Sequence, residues 1–217
     1  MSGPAGGGWV LLHALAVALA AGIALWLRPW RLLGAGGPPW PWLALWAAMP
    51  LLWGLDGLAK APLLLPLSGS VLLVLLAGWP MAVLAMLPVA VLAAWMGGLP
   101  PAEALSRLAW LGLVPATLAL GIGAAVRRWL PHHLFVFILA RGFFGTLLAC
   151  ALAGWAAMAV QVLPVGSARG DMALALGLTA FAEAFITGAF TAVLVAFRPQ
   201  WLWSYSDRLY LPAAAPG

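Results

Sequence analysis

Long apolar runs fill most of the chain, and short stretches rich in Gly, Pro and charged residues separate them. The runs lie at 9–27, 40–55, 63–77, 80–97, 107–126, 134–163 and 172–197. A membrane-spanning helix needs about 20 apolar residues, and it satisfies its own backbone hydrogen bonds. The alternating polarity typical of a transmembrane β-barrel is not seen. The pattern therefore predicts an all-α polytopic membrane protein, in which residues 1–217 form a single transmembrane domain.

The distribution of positive charge decides between six and seven helices. If Gly78, Trp79 and Pro80 form a turn, six Lys or Arg residues share one side with the C-terminus and three lie on the other. The six are Arg28, Arg31, Arg127, Arg128, Arg198 and Arg208, and the three are Lys60, Arg107 and Arg169. Without that turn, the split is four to five. Because cytoplasmic loops carry an excess of positive charge, we expect about seven helices, an external N-terminus and a cytoplasmic C-terminus.

Composition narrows the class of protein further. Hydrophobic residues make up 65% of the chain and charged residues only 7%, whereas soluble domains carry about 25% charged residues. The net charge of +5 comes from Lys and Arg scattered at the ends of the runs, so we expect contact with the lipid bilayer and not with nucleic acid. Cys150 is the one cysteine, which excludes an intramolecular disulfide.

Two ionisable residues, Arg141 and Glu183, lie near the middle of apolar runs. A charge at the centre of a membrane helix costs about 2.5–3.5 kcal/mol or more, so such residues usually face the protein interior, a cavity or each other. Thr179, Glu183 and Thr187 follow one another at four-residue spacing and share one helix face. Ala180, Ala184 and Gly188 run beside them and allow a neighbouring helix to approach closely.

Two interpretations of these residues stay open. Arg141 and Glu183 form a structural ion pair, or Glu183 lines a substrate cavity together with Thr179, Thr187 and Arg141. His13, inside the first run, either bonds to a neighbouring helix or contacts the substrate. The chain has no H-E-x-x-H, G-x-S-x-G, Walker or C-x-x-C motif, so we expect neither an enzyme nor a cofactor.

Several segments in the second half of the chain carry a family resemblance. They are LPHHLFVFILARGFFG (130–145), EAFITG (183–188), FRPQW (197–201) and SDRLYL (206–211), with LPLSGSVLLVLLAGWPMA (65–82) earlier. Together they resemble a branch of the CbiM-like permeases, the substrate-capture components of energy-coupling factor transporters for cobalt and nickel. The resemblance implies a bacterial inner-membrane protein of about seven helices that takes up a transition metal ion with partner ATPase and coupling subunits.

The chain departs from that family at the metal ligands. Metal-binding members have a histidine directly after the initiator Met and another before the central Gly motif, whereas this chain has Ser2 and Pro66 there. A proline side chain cannot bind a metal, so no ligand is assigned. The alternative function is a non-transporting subunit that assembles or stabilises another membrane complex, with a structural Arg141–Glu183 pair.

Overall fold

The computed structural model describes residues 4–32, 38–59, 66–160, 169–206 and 210. These residues form helices and connections, with no β-strand among them. The helices are α1 (Pro4–Trp26), α2 (Trp40–Ala59), α3 (Ser70–Ala77), α4 (Trp79–Gly97), α5 (Pro101–Trp129), α6 (Leu134–Ala159) and α7 (Arg169–Phe197). Short 3₁₀ turns lie at Pro29–Leu32 and Pro199–Trp201.

Five of the described helical segments are long and apolar enough to cross a membrane: Gly7–Arg31, Trp79–Gly97, Pro101–Trp129, Leu134–Ala159 and Gly170–Phe197. The prediction of an all-α polytopic membrane protein is therefore confirmed. Lys60, Arg208, residues 63–65 and residues 161–163 lie outside the described residues, as does part of the terminal SDRLYL segment.

Helices α2 and α4 run in the same direction. The Trp46 indole on α2 donates to the Ala85 carbonyl on α4, and two turns later Gly54 packs against Ala93. Because parallel helices need a return path between them, the segment that joins α2 to α4 must cross back through the bundle. Residues 66–69 and the short helix α3 form the described part of this return.

The remaining helices alternate in direction. The short connections at 98–100 and 130–133 make α5 antiparallel to both α4 and α6. Gly142 packs on Thr191 and Gly154 on Leu176, so α7 is antiparallel to α6. The small residues at these contacts let the two backbones approach closely.

One end of the bundle collects most of the positive charge. His13 on α1 contacts Trp110 near the start of α5. Ala20, further along α1, lines a small cavity with Val83 near the start of α4. Since α4 and α5 are antiparallel, α1 runs in the direction of α5. The end where α1, α5 and α7 finish, here called the arginine-rich end, carries Arg28, Arg31, Arg127, Arg128 and Arg198. Arg107 lies in the first turns of α5, toward the opposite end.

Helix α3 is shorter than the predicted helix 63–77. It begins at Ser70, and residues 66–69 are not helical. Its 8 residues span about 12 Å, less than half of the hydrocarbon core. Pro66 lacks an N–H and Gly69 has a φ of 66°, so residues 66–69 do not form a helix.

The turn between α3 and α4 depends on one glycine. Gly78 has a φ of 77°, and a Cβ there would lie 2.8 Å from Trp203. The segment after α7 then closes the end of α3, because the N–H of Trp203 donates to Leu76 and the N–H of Ser204 donates to Leu75, each over 3.3 Å. These bonds occupy carbonyl groups that a helix end leaves without partners.

Two helices contain a π-helical turn. The first, Leu108–Leu113 in α5, precedes Pro115. The second, Phe137–Phe143 in α6, contains Arg141. A π turn shifts the helical hydrogen bonds by one residue, and such turns occur frequently at functional sites.

Candidate functional site

The Glu183 carboxylate lies buried in the middle of the bundle, at the start of α3. Its Oε1 atom accepts a hydrogen bond from the backbone N–H of Ser68, and the backbone of Gly69 lies close to the carboxylate. Its Oε2 atom accepts from the thiol of Cys150, with Sγ at 3.3 Å. Glu183 therefore closes the N-terminal end of the half-helix α3, where free N–H groups favour negative charge.

A hydroxyl network continues from this carboxylate to α5. Ser68 Oγ lies 2.5 Å from Ser70 Oγ and donates to the Leu111 carbonyl over 2.6 Å. Pro115, four residues after Leu111, has no N–H to offer that carbonyl. The proline thus frees an acceptor on α5, and Ser68 binds to it. Trp53 on α2 completes the site by donating to the Ser68 carbonyl over 2.8 Å.

Arg141 and Glu183 do not form an ion pair. The contacts of Gly142 with Thr191 and of Cys150 with Glu183 set the alignment of α6 and α7. In that alignment Arg141 lies nine residues from Cys150, or about 13 Å along the helix. The structural pair considered from the sequence is therefore absent, and the two charges occupy separate sites.

Arg141 instead lies beside a cluster of three aromatic rings, here called the tyrosine cluster. Its rings belong to Phe137, Tyr205 and Tyr210, whose centroids are 4.9–5.3 Å apart. The guanidinium carbon of Arg141 lies 5.4 Å from the centre of the Phe137 ring, and Nη1 donates to the Ser204 carbonyl over 3.2 Å. Arg141 is buried, with 9% of its surface exposed.

The threonines on α7 contribute less to the site than the sequence suggested. Thr179 donates to the Ala175 carbonyl of its own helix, and Thr191 donates to Thr187 in the same way. Thr187 is buried. The Thr179 hydroxyl is thus engaged within α7, and Glu183 is the residue of the predicted face that bonds to other helices.

His13 is bonded to a neighbouring helix, as one of the two interpretations expected. The Trp110 indole donates to His13 Nε2 over 3.0 Å, and the ring also lies near Trp9. These contacts belong to the interface of α1 with α5. The structure therefore does not bring His13 to Glu183.

Metal-ligating side chains are sparse in the described part of the chain. No group of three His, Cys, Asp or Glu side chains among the described residues could hold a metal ion. The Glu183 carboxylate contacts the Ser68 N–H and the Cys150 thiol, and the Ser68 hydroxyl contacts the Ser70 hydroxyl and the Leu111 carbonyl. Sequence reasoning missed Ser68, Ser70 and Cys150, although the Ser-Gly-Ser triplet interrupting an apolar run was the available signal.

Comparison with known proteins identifies no relative. The chain matches no protein-family model, and no curated protein or solved structure is significantly similar to it. The resemblance to CbiM-like permeases therefore stays a prediction.

Proposed function

We propose that this protein is the membrane-embedded substrate-capture component of an uptake system of the energy-coupling factor type, and that its substrate is a transition metal cation of the cobalt and nickel class. The observation that carries the proposal is the Glu183 carboxylate, buried beside the break before α3. No Lys, Arg or His of the described residues pairs with it. Transporters often place their substrate sites at such discontinuous helices near the membrane centre.

Two side chains at the site, Glu183 and Cys150, carry atoms that bind a divalent cation when deprotonated, and the Glu183 charge offsets the positive N-terminal end of α3. Oε2 faces the Cys150 thiol, and loss of the thiol proton would give a carboxylate and a thiolate, two negative charges that a divalent ion neutralises. The hydroxyls of Ser68 and Ser70 add neutral oxygen ligands. Sulfur together with oxygen favours a transition metal over magnesium or calcium.

The arginine-rich end supports an orientation. The positive-inside rule places this end in the cytoplasm, and it then faces the ATPase and coupling subunits of a bacterial inner-membrane system. Arg127 and Arg128 are exposed there. This orientation puts the N-terminus outside, and it rests on the same positive-inside rule as the charge count.

The test is metal binding to the folded protein in detergent, measured by calorimetry with nickel, cobalt, zinc and copper. Glu183→Gln keeps an oxygen that caps α3 but removes the charge, so it should retain folding and weaken binding at least about tenfold. The matched control is Glu103→Gln, which removes one charge from an ion pair with Arg107 at the start of α5. Cys150→Ser should weaken zinc and copper most, because it removes the sulfur ligand.

Absence of binding by folded wild-type protein would reject the proposal. The second candidate would then stand: a non-transporting subunit in which Glu183 only fastens α7 to α3. The observation in its favour is that both carboxylate oxygens already have hydrogen-bond partners in this chain. In that case Glu183→Gln would change stability without changing metal uptake by cells.

A further inference from the structure

Three buried side-chain atoms of the described residues have no hydrogen-bond partner, and all three are donors. They are Trp42 Nε1, Arg141 Nε and the Tyr210 hydroxyl. Tyr210 belongs to the tyrosine cluster, Arg141 stacks on it through Phe137, and Trp42 packs against the same apolar core. Buried polar groups are nearly always paired, so the unpaired donors of Arg141 and Tyr210, which lie at the same aromatic cluster, point to a missing acceptor.

The charge at this place is also unbalanced. Arg141 is buried without a carboxylate bonded to it among the described residues, and Arg127 lies close enough to add repulsion. The described carboxylates lie elsewhere: Glu103 pairs with Arg107, Glu183 caps α3, and Asp171 is exposed in the first turn of α7. A buried cation without a counter-charge is strongly unfavourable, so the missing acceptor should be negative.

The guanidinium is already held in position for such a partner. Nη1 bonds to the Ser204 carbonyl, and the group lies over the Phe137 ring. The Tyr210 hydroxyl is near enough to interact with the charge of Arg141. A fixed pair of an Arg and a hydroxyl donor suits an oxyanion, because each oxygen of such a group accepts more than one bond.

We propose that Arg141 and Tyr210 form a binding site for a phosphate oxyanion at the arginine-rich end of the bundle. The exposed Arg127 lies at the same end and attracts anions toward it. The phosphate comes either from the headgroup of an anionic lipid or from free phosphate. The site is separate from Glu183 and does not depend on the proposed transport of a cation.

The experiment uses the full chain, purified in detergent and stripped of lipid. Phosphatidylglycerol binding is titrated by native mass spectrometry, with phosphatidylcholine as the uncharged comparison. Inorganic phosphate is titrated separately, against chloride at equal ionic strength. Arg141→Met should weaken binding at least about tenfold, and Tyr210→Phe, which removes one hydroxyl, about threefold to tenfold. The matched control Arg128→Gln loses the same charge at an exposed position and should change binding about twofold or less.

Each outcome either supports or overturns the proposed phosphate site. Selective binding of phosphatidylglycerol that both variants weaken supports the site and identifies the lipid headgroup, whereas competition by inorganic phosphate identifies the free anion. If Arg141→Met does not fold, Tyr210→Phe carries the test. The proposal is overturned if neither anion binds, or if Arg128→Gln weakens binding as much as Tyr210→Phe. It is also overturned if Asp207→Asn destabilises the wild-type protein but does not destabilise the Arg141→Met variant. Asp207 of this chain would then supply the counter-charge of Arg141.

Discussion

Replacing Glu183 by leucine tests whether the carboxylate holds the central half-helix in place. In the structure Glu183 accepts one bond from the backbone N–H of Ser68 and one from the Cys150 thiol, at the point where α3 starts without a preceding turn. Leucine fills a similar volume but accepts nothing, so both buried donors lose their acceptor. Each lost acceptor costs about 1–3 kcal/mol in a protein interior. Measured interhelical bonds in membranes lie lower, at about 0.6 kcal/mol on average, because the unfolded chain finds other partners there.

Removing the carboxylate also removes the cost of burying its charge, which opposes the loss. We therefore expect Glu183→Leu to lower the free energy of unfolding by about 2 kcal/mol, and Glu183→Gln by about 1 kcal/mol or less. The assay is reversible unfolding in mixed micelles of a mild detergent and dodecyl sulfate, followed by tryptophan fluorescence. Glu103→Gln, at the surface, should change stability by less than about 1 kcal/mol. If Glu183→Leu is as stable as the wild type, the carboxylate does not cap α3 and this reasoning is wrong.

Three further substitutions test the contacts around α3 and α1. Gly78→Ala should destabilise the protein by about 1–3 kcal/mol, because it combines a positive φ with a clash against Trp203; an unchanged thermal midpoint would mean that the turn is not as described. Ser68→Ala removes the donor to a freed carbonyl on α5 and should cost about 1–2 kcal/mol in the same unfolding assay, and a gain in stability would contradict the assigned bond. Trp110→Phe removes the donor to His13 and should cost about 1 kcal/mol without affecting metal binding. Weaker metal binding in Trp110→Phe would instead place His13 in the substrate site.

The long helices were predictable because their physical signal is simple. An apolar run of sufficient length can only be a helix in a bilayer, so α4 to α7 follow from hydropathy and from the Gly and Pro breaks. The charge count also anticipated the gathering of Arg28, Arg127 and Arg198 at one end, since it depends on where helices end and not on how they pack.

The half-helix was not predictable in the same way. The run is apolar up to the Ser-Gly-Ser triplet at 68–70, and hydropathy does not distinguish a non-helical segment enclosed by protein from a helix in lipid. What ends the helix is local: Pro66 lacks an N–H, and Gly69 adopts a positive φ. A proline and a glycine within a run also occur inside continuous membrane helices, so the pattern alone leaves both structures open.

The separation of Arg141 from Glu183 depends on how α6 and α7 are aligned. Both helices carry small residues four apart, including Gly142 on α6 and Gly188 on α7. A shift of one helix by four residues keeps these faces together, so the sequence does not fix which residues meet. In the structure, Cys150 on α6 meets Glu183 on α7, a contact that the sequence does not predict.

The contacts that complete α3 form late during synthesis of the chain. The groups that complete α3 come from far downstream: Glu183 binds 115 residues after Ser68, and Ser204 binds 129 residues after Leu75. At about 5–20 residues per second, roughly 6–25 s pass between synthesis of the half-helix and synthesis of the residues that close its two ends. Throughout that interval its terminal N–H and C=O groups need water, lipid headgroups or insertion machinery as partners. The contacts at the centre of the protein therefore form last. A nascent chain stalled before Glu183 already contains α3 but lacks Glu183 and Ser204, which bind its two ends.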